Sequence, residues 1–572
     1  MREACTDSGV NNGDGHSKHP GLRGPGIVRT LYQSAILLIL LALYAILTPT
    51  LFKSAHLPFD SDEATHALAG LQLASDMYHG EAIAFLRHVY FIGWYPPLLP
   101  TYLSMMLLAF GPTIWGARYA VLLLSTICAA LLYRVSLTLT GQRRAGLAAL
   151  LLATTSPFVW MHSLLCMEEM LSLVGVLLTI LTYSRSERGK SRAFWVGISV
   201  AATLLARLFT GICSAAAVLI TILLNSGTRA ARIKQAKQIF IPLAVICLLW
   251  WGHPAKARGF LEYAQASPPA YTALTWQEIS YYSTAMMTTY TLSPLIGVLV
   301  LASIVTACFH WREPDWRLPL SIVVVTWLAL LIKRQLNTRF FASAVYAAFL
   351  LTGNSLVVWE RAFKSARVSV VRRILSFAVL IQVLIFLVAR VRSFPFLMEV
   401  AYETDAATAS VYTWVNETVA NDAPIFLING WDQLSTQTLD FHTGAERWPQ
   451  WSGPTVTDVL LADPQEDPLA VGRFQQAVAG SPRSYLIHLT NTPVPNAGAW
   501  WAYETALEPY WNGEWQSANS YWVLLWDGKL ENEIFSRPLH YVNQENRLSA
   551  RRKYGYPLLI EARIATCRGE NN

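Results

Sequence analysis

The recurrence of apolar runs close to membrane-crossing length, separated by short polar loops, constrains this chain more than any motif in it. A helix rising about 1.5 Å per residue needs about 20 apolar residues to cross the hydrocarbon layer. Runs at 31–52, 115–139, 145–161, 170–183, 193–206, 209–225, 239–251, 290–309, 318–332, 341–359 and 374–389 make about eleven such segments, several of them short enough that their ends are loose. Charged residues form only 14% of the chain and the mean hydropathy is +0.34, whereas soluble domains carry about 25% charge. A purely soluble enzyme is excluded, and the lipid bilayer is the first partner.

Charge gives the runs a direction, because Lys and Arg concentrate in cytoplasmic loops. Arg23 and Arg29 precede the first run, which is too long for a cleaved signal segment, so the chain is read as emerging outside after Lys53. The basic loops at 143–144, 185–192, 229–237, 312–317 and 361–373 then all fall on the cytoplasmic side. That alternation holds only if the apolar stretch 96–110 is a re-entrant or interfacial helix and not a crossing. The net charge of +7 is accounted for by these membrane flanks and does not point to nucleic acid. The seven cysteines contain no CxxC pair and imply neither a disulfide framework nor a zinc site.

Beyond Arg392 the composition changes. Of the 37 Asp and Glu residues, 21 lie from Glu399 onward, in a stretch dense in Trp and Tyr. Short apolar runs at 424–428, 485–489 and 521–526 read as buried strands. The expected organisation is a cytoplasmic, disordered tail over 1–30, a membrane domain over 31–390 and an extracytoplasmic soluble α/β domain over 391–572. In that last domain Asn429-Gly430-Trp431-Asp432 is a turn signal first and a binding-loop candidate second.

Nine carboxylates outside the C-terminal region face outward: Asp60, Asp62, Glu63, Asp76, Glu81, Glu168, Glu169, Glu262 and Glu278. Asp62 and Glu63 follow the first run and precede a helical pattern. They are either acidic residues in a positive first turn or the seat of a general base or divalent ion. Glu168 and Glu169 stand in a very short loop at the outer end of two apolar helices, where a carboxylate is costly unless it faces protein, water or a cation. Arg207 is similarly isolated between two runs. It suits a phosphate or a structural role with its head group snorkelling to the interface.

Asp62-Glu63-Ala64-Thr65-His66-Ala67 resembles the Asp-Glu motif in the first outer loop of the GT-C glycosyltransferases, especially the protein O-mannosyltransferases and the lipid A aminoarabinose transferases. Trp94-Tyr95-Pro96-Pro97-Leu98 is similar to their His/Lys-Pro-Pro-Leu entry into an outer helix, and Gly116-Ala117-Arg118 to their approach to the next span. Ser156-Pro157 followed by Glu168-Glu169 resembles their Ser-Pro and second outer acid, with Glu168 favoured by spacing over Glu169. Arg207-Leu208-Phe209-Thr210-Gly211 resembles a Lys-containing motif near the lipid phosphate, and Arg339-Phe340-Phe341 a late Arg-Tyr motif. Tyr95, Glu168 and Arg207 depart from the family's usual His or Lys, Asp and Lys.

The resemblance implies a polytopic α-helical membrane protein with outer-loop juxtamembrane helices and an outer-face α/β domain. Its donor would be a polyprenyl-phosphate-linked sugar and its acceptor a protein, lipid or glycan. Asp62 would act as general base with inversion at the anomeric carbon, with Glu63 and Glu168 beside it. Arg207 and Arg339 would bind the donor phosphate, and Tyr95, His66 and Glu169 are candidate substrate contacts. A divalent metal ion held by Glu63 and Glu168 is conceivable, but no His/Cys cluster accompanies them, so no cofactor is assigned. The expected location is a bacterial plasma membrane. Two rival readings are a lipid-linked sugar flippase or transporter, which often carries paired repeats not seen in this sequence, and a noncatalytic envelope-assembly scaffold.

Overall fold

The computed structural model describes residues 61–91, 95–186, 193–254, 256–258, 275–334, 337–362 and 435–451 throughout, with shorter pieces elsewhere. The N-terminal tail, most of the first and last expected spans and the turn at 429–432 lie outside the described residues. The apolar runs become helices, several of which end or start at glycine or proline. Helix α1 (Ser61–Tyr78) opens with Asp62 and Glu63 in its first turn, where the helix dipole favours carboxylates. Helix α2 (Ala82–Phe91) follows, and α3 (Leu98–Phe110) starts after Pro97. At 13 residues α3 is shorter than a crossing requires. It buries Leu99, Leu103 and Leu107 against the apolar stripe of α1 formed by Ala67, Leu71 and Ala74.

Helix α4 (Ile114–Thr140) is capped by Thr113, whose hydroxyl accepts from the Gly116 N–H, and ends at Gly141 with φ 68°, a left-handed position that glycine fills without strain. The segment 145–161, expected as one span, is two helices, α5 (Arg143–Thr154) and α6 (Pro157–His162). Pro157 has no N–H to continue α5, and Ser156 caps the new start instead. Helices α7 (Glu169–Ser186), α8 (Ala193–Ala206) and α9 (Leu208–Leu223) follow. Helix α10 (Arg229–Trp251) begins at the basic loop itself, since Lys and Arg are good helix formers and Thr228 supplies the cap.

Helices α11 (Trp276–Thr288), α12 (Pro294–Phe309) and α13 (Pro314–Lys333) lead to a 3-10 turn (Thr338–Phe341) and α14 (Ala342–Ala362). Among the described residues four helical segments are long and apolar enough to cross a membrane: α4, α10, α13 and the continuous stretch from Thr338 to Ala362. The chain is an integral membrane protein. Helix α14 is the most enclosed of them, with every residue from Ala344 to Leu351 at 0% exposure. Its small residues, among them Ala344, Ala347, Ala348 and Gly353, allow close helix approach where water provides little drive.

Toward the C-terminus lie β1 (Ile425–Ile428), α15 (Thr436–Glu446), β2 (Val456–Val459), β3 (Arg483–Thr490), β4 (Gln516–Ser517), β5 (Tyr521–Val523) and β6 (Leu558–Arg568). The strand order is β2-β1-β3-β6-β4, with β5 also on β6. Strand β1 is parallel to β2 and β3, and β6 is antiparallel to β3. Strands β1, β3 and β5 overlap the three runs read as strands from sequence. Helix α15 packs on α1: the Phe441 ring lies 5.0 Å from Phe59, and Gly444 faces Leu71 and Trp451.

Arg207 breaks the chain between α8 and α9, and Gly211 allows the two helices to meet there. A Cβ at Gly211 would stand 2.3 Å from Leu204 Cα and 2.5 Å from its Cβ. Gly211→Ala is therefore expected to cost about 1–3 kcal/mol by overpacking, read as a lowered unfolding temperature in detergent. Gly227→Ala, whose new methyl would meet only Ala231 Cβ at 3.9 Å, should leave that temperature essentially unchanged.

Candidate active site

Neighbouring residues on a helix project about 100° apart, so Asp62 and Glu63 at the start of α1 face different surroundings. Glu63 points into protein. Its Oε2 lies 2.9 Å from an Arg118 guanidinium nitrogen, and the side chains are 3% and 1% exposed. The same carboxylate's Oε1 accepts the Cys166 backbone N–H at 2.8 Å. The Arg118 guanidinium also lies 5.2 Å from the Phe59 ring centroid. Glu63 thus ties α1 to α4 and to the loop before α7 in one buried, charge-assisted set.

Asp62 faces a wetter region. Its Oδ2 lies 2.9 Å from an Arg339 guanidinium nitrogen, with the two side chains 48% and 31% exposed. Arg339 sits on the 3-10 turn, which is held from several sides. The Asn337 side chain accepts the Arg339 N–H at 3.0 Å, and the Tyr290 hydroxyl donates to Thr338 O at 2.8 Å. Ser156, from the Ser-Pro motif, donates to Tyr290 O at 2.7 Å, and Phe341 stacks on Tyr282 at 4.5 Å between centroids. The Ser-Pro pair therefore both starts a helix and braces the arginine turn.

Arg207 is buried and fully engaged. Glu169 Oε1 lies 3.0 Å from it, Arg207 donates to the Arg339 carbonyl at 3.1 Å, and its guanidinium stands 4.6 Å from the Phe340 ring centroid. Of the two adjacent acids, Glu169 is the one paired with arginine. Glu168 is half-buried, its Oε1 buried without a hydrogen-bond partner. Burial pushes the Glu168 carboxyl up to about 8, against the opposing pull of Arg207 and reinforced by Glu169. It is therefore largely protonated at neutral pH and able to donate a hydrogen bond.

His66, one turn after Asp62, is 5% exposed and packs edge-on against Tyr95 at 5.0 Å. Burial lowers its pKa to about 4, outweighing the opposing pull of Glu169 and Asp62, so the imidazole is neutral at pH 7. The structure thus gathers Asp62, His66, Tyr95, Glu168, Glu169, Arg207 and Arg339 around one region and directs Glu63 away into its pairing with Arg118. Sequence reasoning noted Arg118 only as part of a motif. An arginine inside an apolar run was the available signal for a buried partner, whereas nothing local to Cys166 announces its backbone N–H. Two other outward acids are engaged structurally: Asp76 with His88 at 2.7 Å, and Glu278 in a capping box with Thr275. Among the described residues no three His, Cys, Asp or Glu side chains group to hold a metal ion.

With this geometry in view, residues 95–251 match the family model for dolichyl-phosphate-mannose-protein mannosyltransferase. The fold is that of the GT-C membrane glycosyltransferases. The chain is similar to ArnT from Cupriavidus metallidurans bound to undecaprenyl phosphate, at 12% identity and TM-score 0.54, over 87% of this chain and 97% of that one. It is also similar to the archaeal oligosaccharyltransferase AglB from Archaeoglobus fulgidus in complex with an inhibitory peptide and a dolichol-phosphate, at 10% identity and TM-score 0.52, over 94% and 89% of the respective chains. No curated protein matches the chain.

Two measurements check this account of the site. Arg118→Met is expected to destabilise by about 3–5 kcal/mol, the cost of leaving one buried charge unpaired. Combining it with Glu63→Gln should recover most of that loss, because the Gln carbonyl still accepts from Cys166 and no charge stays buried; thermal unfolding of both variants decides. Separately, Glu168 binds its proton more tightly folded than unfolded, so its contribution to stability is complete below the ordinary carboxylate range and is lost as pH rises through about 8. Unfolding temperatures between pH 5 and 9 should fall less steeply in Glu168→Gln than in the native chain.

Proposed function

We propose that this chain transfers a sugar from a polyprenyl-phosphate donor to an acceptor hydroxyl on the outer membrane face, with Asp62 as general base. The observation that carries the reading is a half-exposed carboxylate, Asp62, paired with Arg339, whose backbone carbonyl is in turn bonded by the buried Arg207, at the head of a helix bundle. The lipid phosphates bound by ArnT and AglB support a lipid-linked donor, and the matched mannosyltransferase model supports sugar transfer.

In this reaction the acceptor O–H gives its proton to Asp62 while its oxygen forms a bond to the anomeric carbon. The bond from that carbon to the phosphate oxygen breaks, and its electron pair leaves with the lipid phosphate. Attack opposite the leaving group inverts the carbon. The guanidiniums of Arg339 and Arg207 stabilise the phosphate's growing negative charge, and the proton on Asp62 later passes to water. Protonated Glu168 donates a hydrogen bond to a substrate oxygen, while neutral His66 and Tyr95 shape the wall beside Asp62. Glu63 positions Asp62 through the helix they share.

The same reading places the membrane domain at 31–390 with its N-terminus in the cytoplasm, and a soluble α/β domain at 391–572 on the outer face of a bacterial plasma membrane. The acceptor is a protein, lipid or glycan hydroxyl. Transfer of labelled sugar from membrane lipid donors should fall about 10²–10⁴-fold in Asp62→Asn at matched folded abundance, with polyprenyl-phosphate binding retained. Undiminished transfer would remove Asp62 from the chemistry, and absence of transfer by the native chain across lipid-linked sugars would favour a flippase.

A further inference from the structure

The first turn of α1 makes two ion pairs of opposite character. Glu63 and Arg118 are almost fully enclosed and share a third partner in the Cys166 N–H. Asp62 and Arg339 are 48% and 31% exposed. Enclosed pairs resist exchange because a lone buried charge is costly, whereas an open pair contributes little and yields readily to a competing anion. The two arginines near the proposed phosphate site differ in the same way. Arg207 is committed to Glu169, to the Arg339 carbonyl and to the Phe340 ring. Arg339 has a braced backbone, and its more exposed side chain reaches from the 3-10 turn across to α1, with Met167 Sδ at 3.7 Å and the Phe340 ring centroid at 5.4 Å from it.

We infer that Asp62 and the donor phosphate compete for the Arg339 guanidinium, so that donor binding releases the base and must precede productive acceptor binding. This rests on the proposed lipid-phosphate donor. Without donor, Asp62 Oδ2 accepts a charge-assisted bond from Arg339 and is a poor acceptor for a substrate hydroxyl. The donor's phosphodiester brings two anionic oxygens to Arg339 on a lipid held in the bilayer and draws the guanidinium away, while Arg207 stays in place. The carboxylate then turns to the acceptor O–H. The site is thereby armed only when the group that must leave is already seated.

The test is a binding cycle with polyprenyl phosphate alone, titrated onto the purified full chain in lipid nanodiscs. Asp62→Asn removes the competitor and should tighten polyprenyl-phosphate binding about two- to fivefold, the range a half-exposed pair supplies. In the Arg339→Gln background the same change should have no effect. An unchanged or weakened affinity in Asp62→Asn overturns the competition, as does a gain that persists without Arg339, which would mark simple repulsion between carboxylate and phosphate. If the native chain binds no polyprenyl phosphate, the donor reading itself fails. Should Arg339→Gln not fold, Arg339→Met, which keeps a long unbranched side chain without the charge, takes its place in the cycle.

Discussion

The enclosed pairing of Glu63 with Arg118 is the interaction on which the rest of the site depends. Moving both ions out of water is expensive, and the arrangement is sustained because the carboxylate also receives the Cys166 N–H while the arginine lies against Phe59. Three separate stretches of chain are thereby joined: the head of α1, the first turns of α4 and the loop that presents Glu168 and Glu169. The position of Asp62 relative to that loop follows from this junction, since Asp62 is fixed to Glu63 by helical geometry.

The site divides its charges between enclosed and solvent-facing pairs. Glu169 and Arg207 neutralise each other in the interior, and the Arg207 bond to the Arg339 carbonyl carries that order to the next arginine. Asp62 and Arg339 retain access to solvent. Glu168 keeps a proton through burial, and His66 lacks one for the same reason. Desolvation thus prepares a neutral acid and a neutral imidazole beside an ionic pair. Helix α15 packs on α1 through Phe441, Phe59 and Leu71, against the same helix that carries Asp62 and Glu63.

Much of the membrane architecture was legible because burial in lipid writes itself into composition. Spacing of apolar runs and the placement of Lys and Arg located α4, α7, α8, α9, α12, α13 and α14 to within a few residues. The errors have local causes. The span expected over 145–161 divides where Pro157 lacks an N–H, and α10 starts earlier than its apolar portion because basic residues continue a helix well. The reading of 96–110 as a re-entrant or interfacial helix rests on charge parity and on the Pro-Pro-Leu resemblance; the described helix there, α3, has 13 residues.

By itself the sequence determined which residues carry charge into an apolar setting: Asp62, Glu63, Glu168, Glu169, Arg118, Arg207 and Arg339. It also determined the facing of Asp62 with His66 one turn later, since helical periodicity is a local property. Only the tertiary structure decided who pairs with whom. Glu63 meets an arginine 55 positions away and Asp62 one 277 positions away, and no local pattern encodes which of two adjacent carboxylates is enclosed. Helix packing brings those distant arginines to α1, and the depth at which each arrives separates an enclosed ion pair from one left half open to solvent.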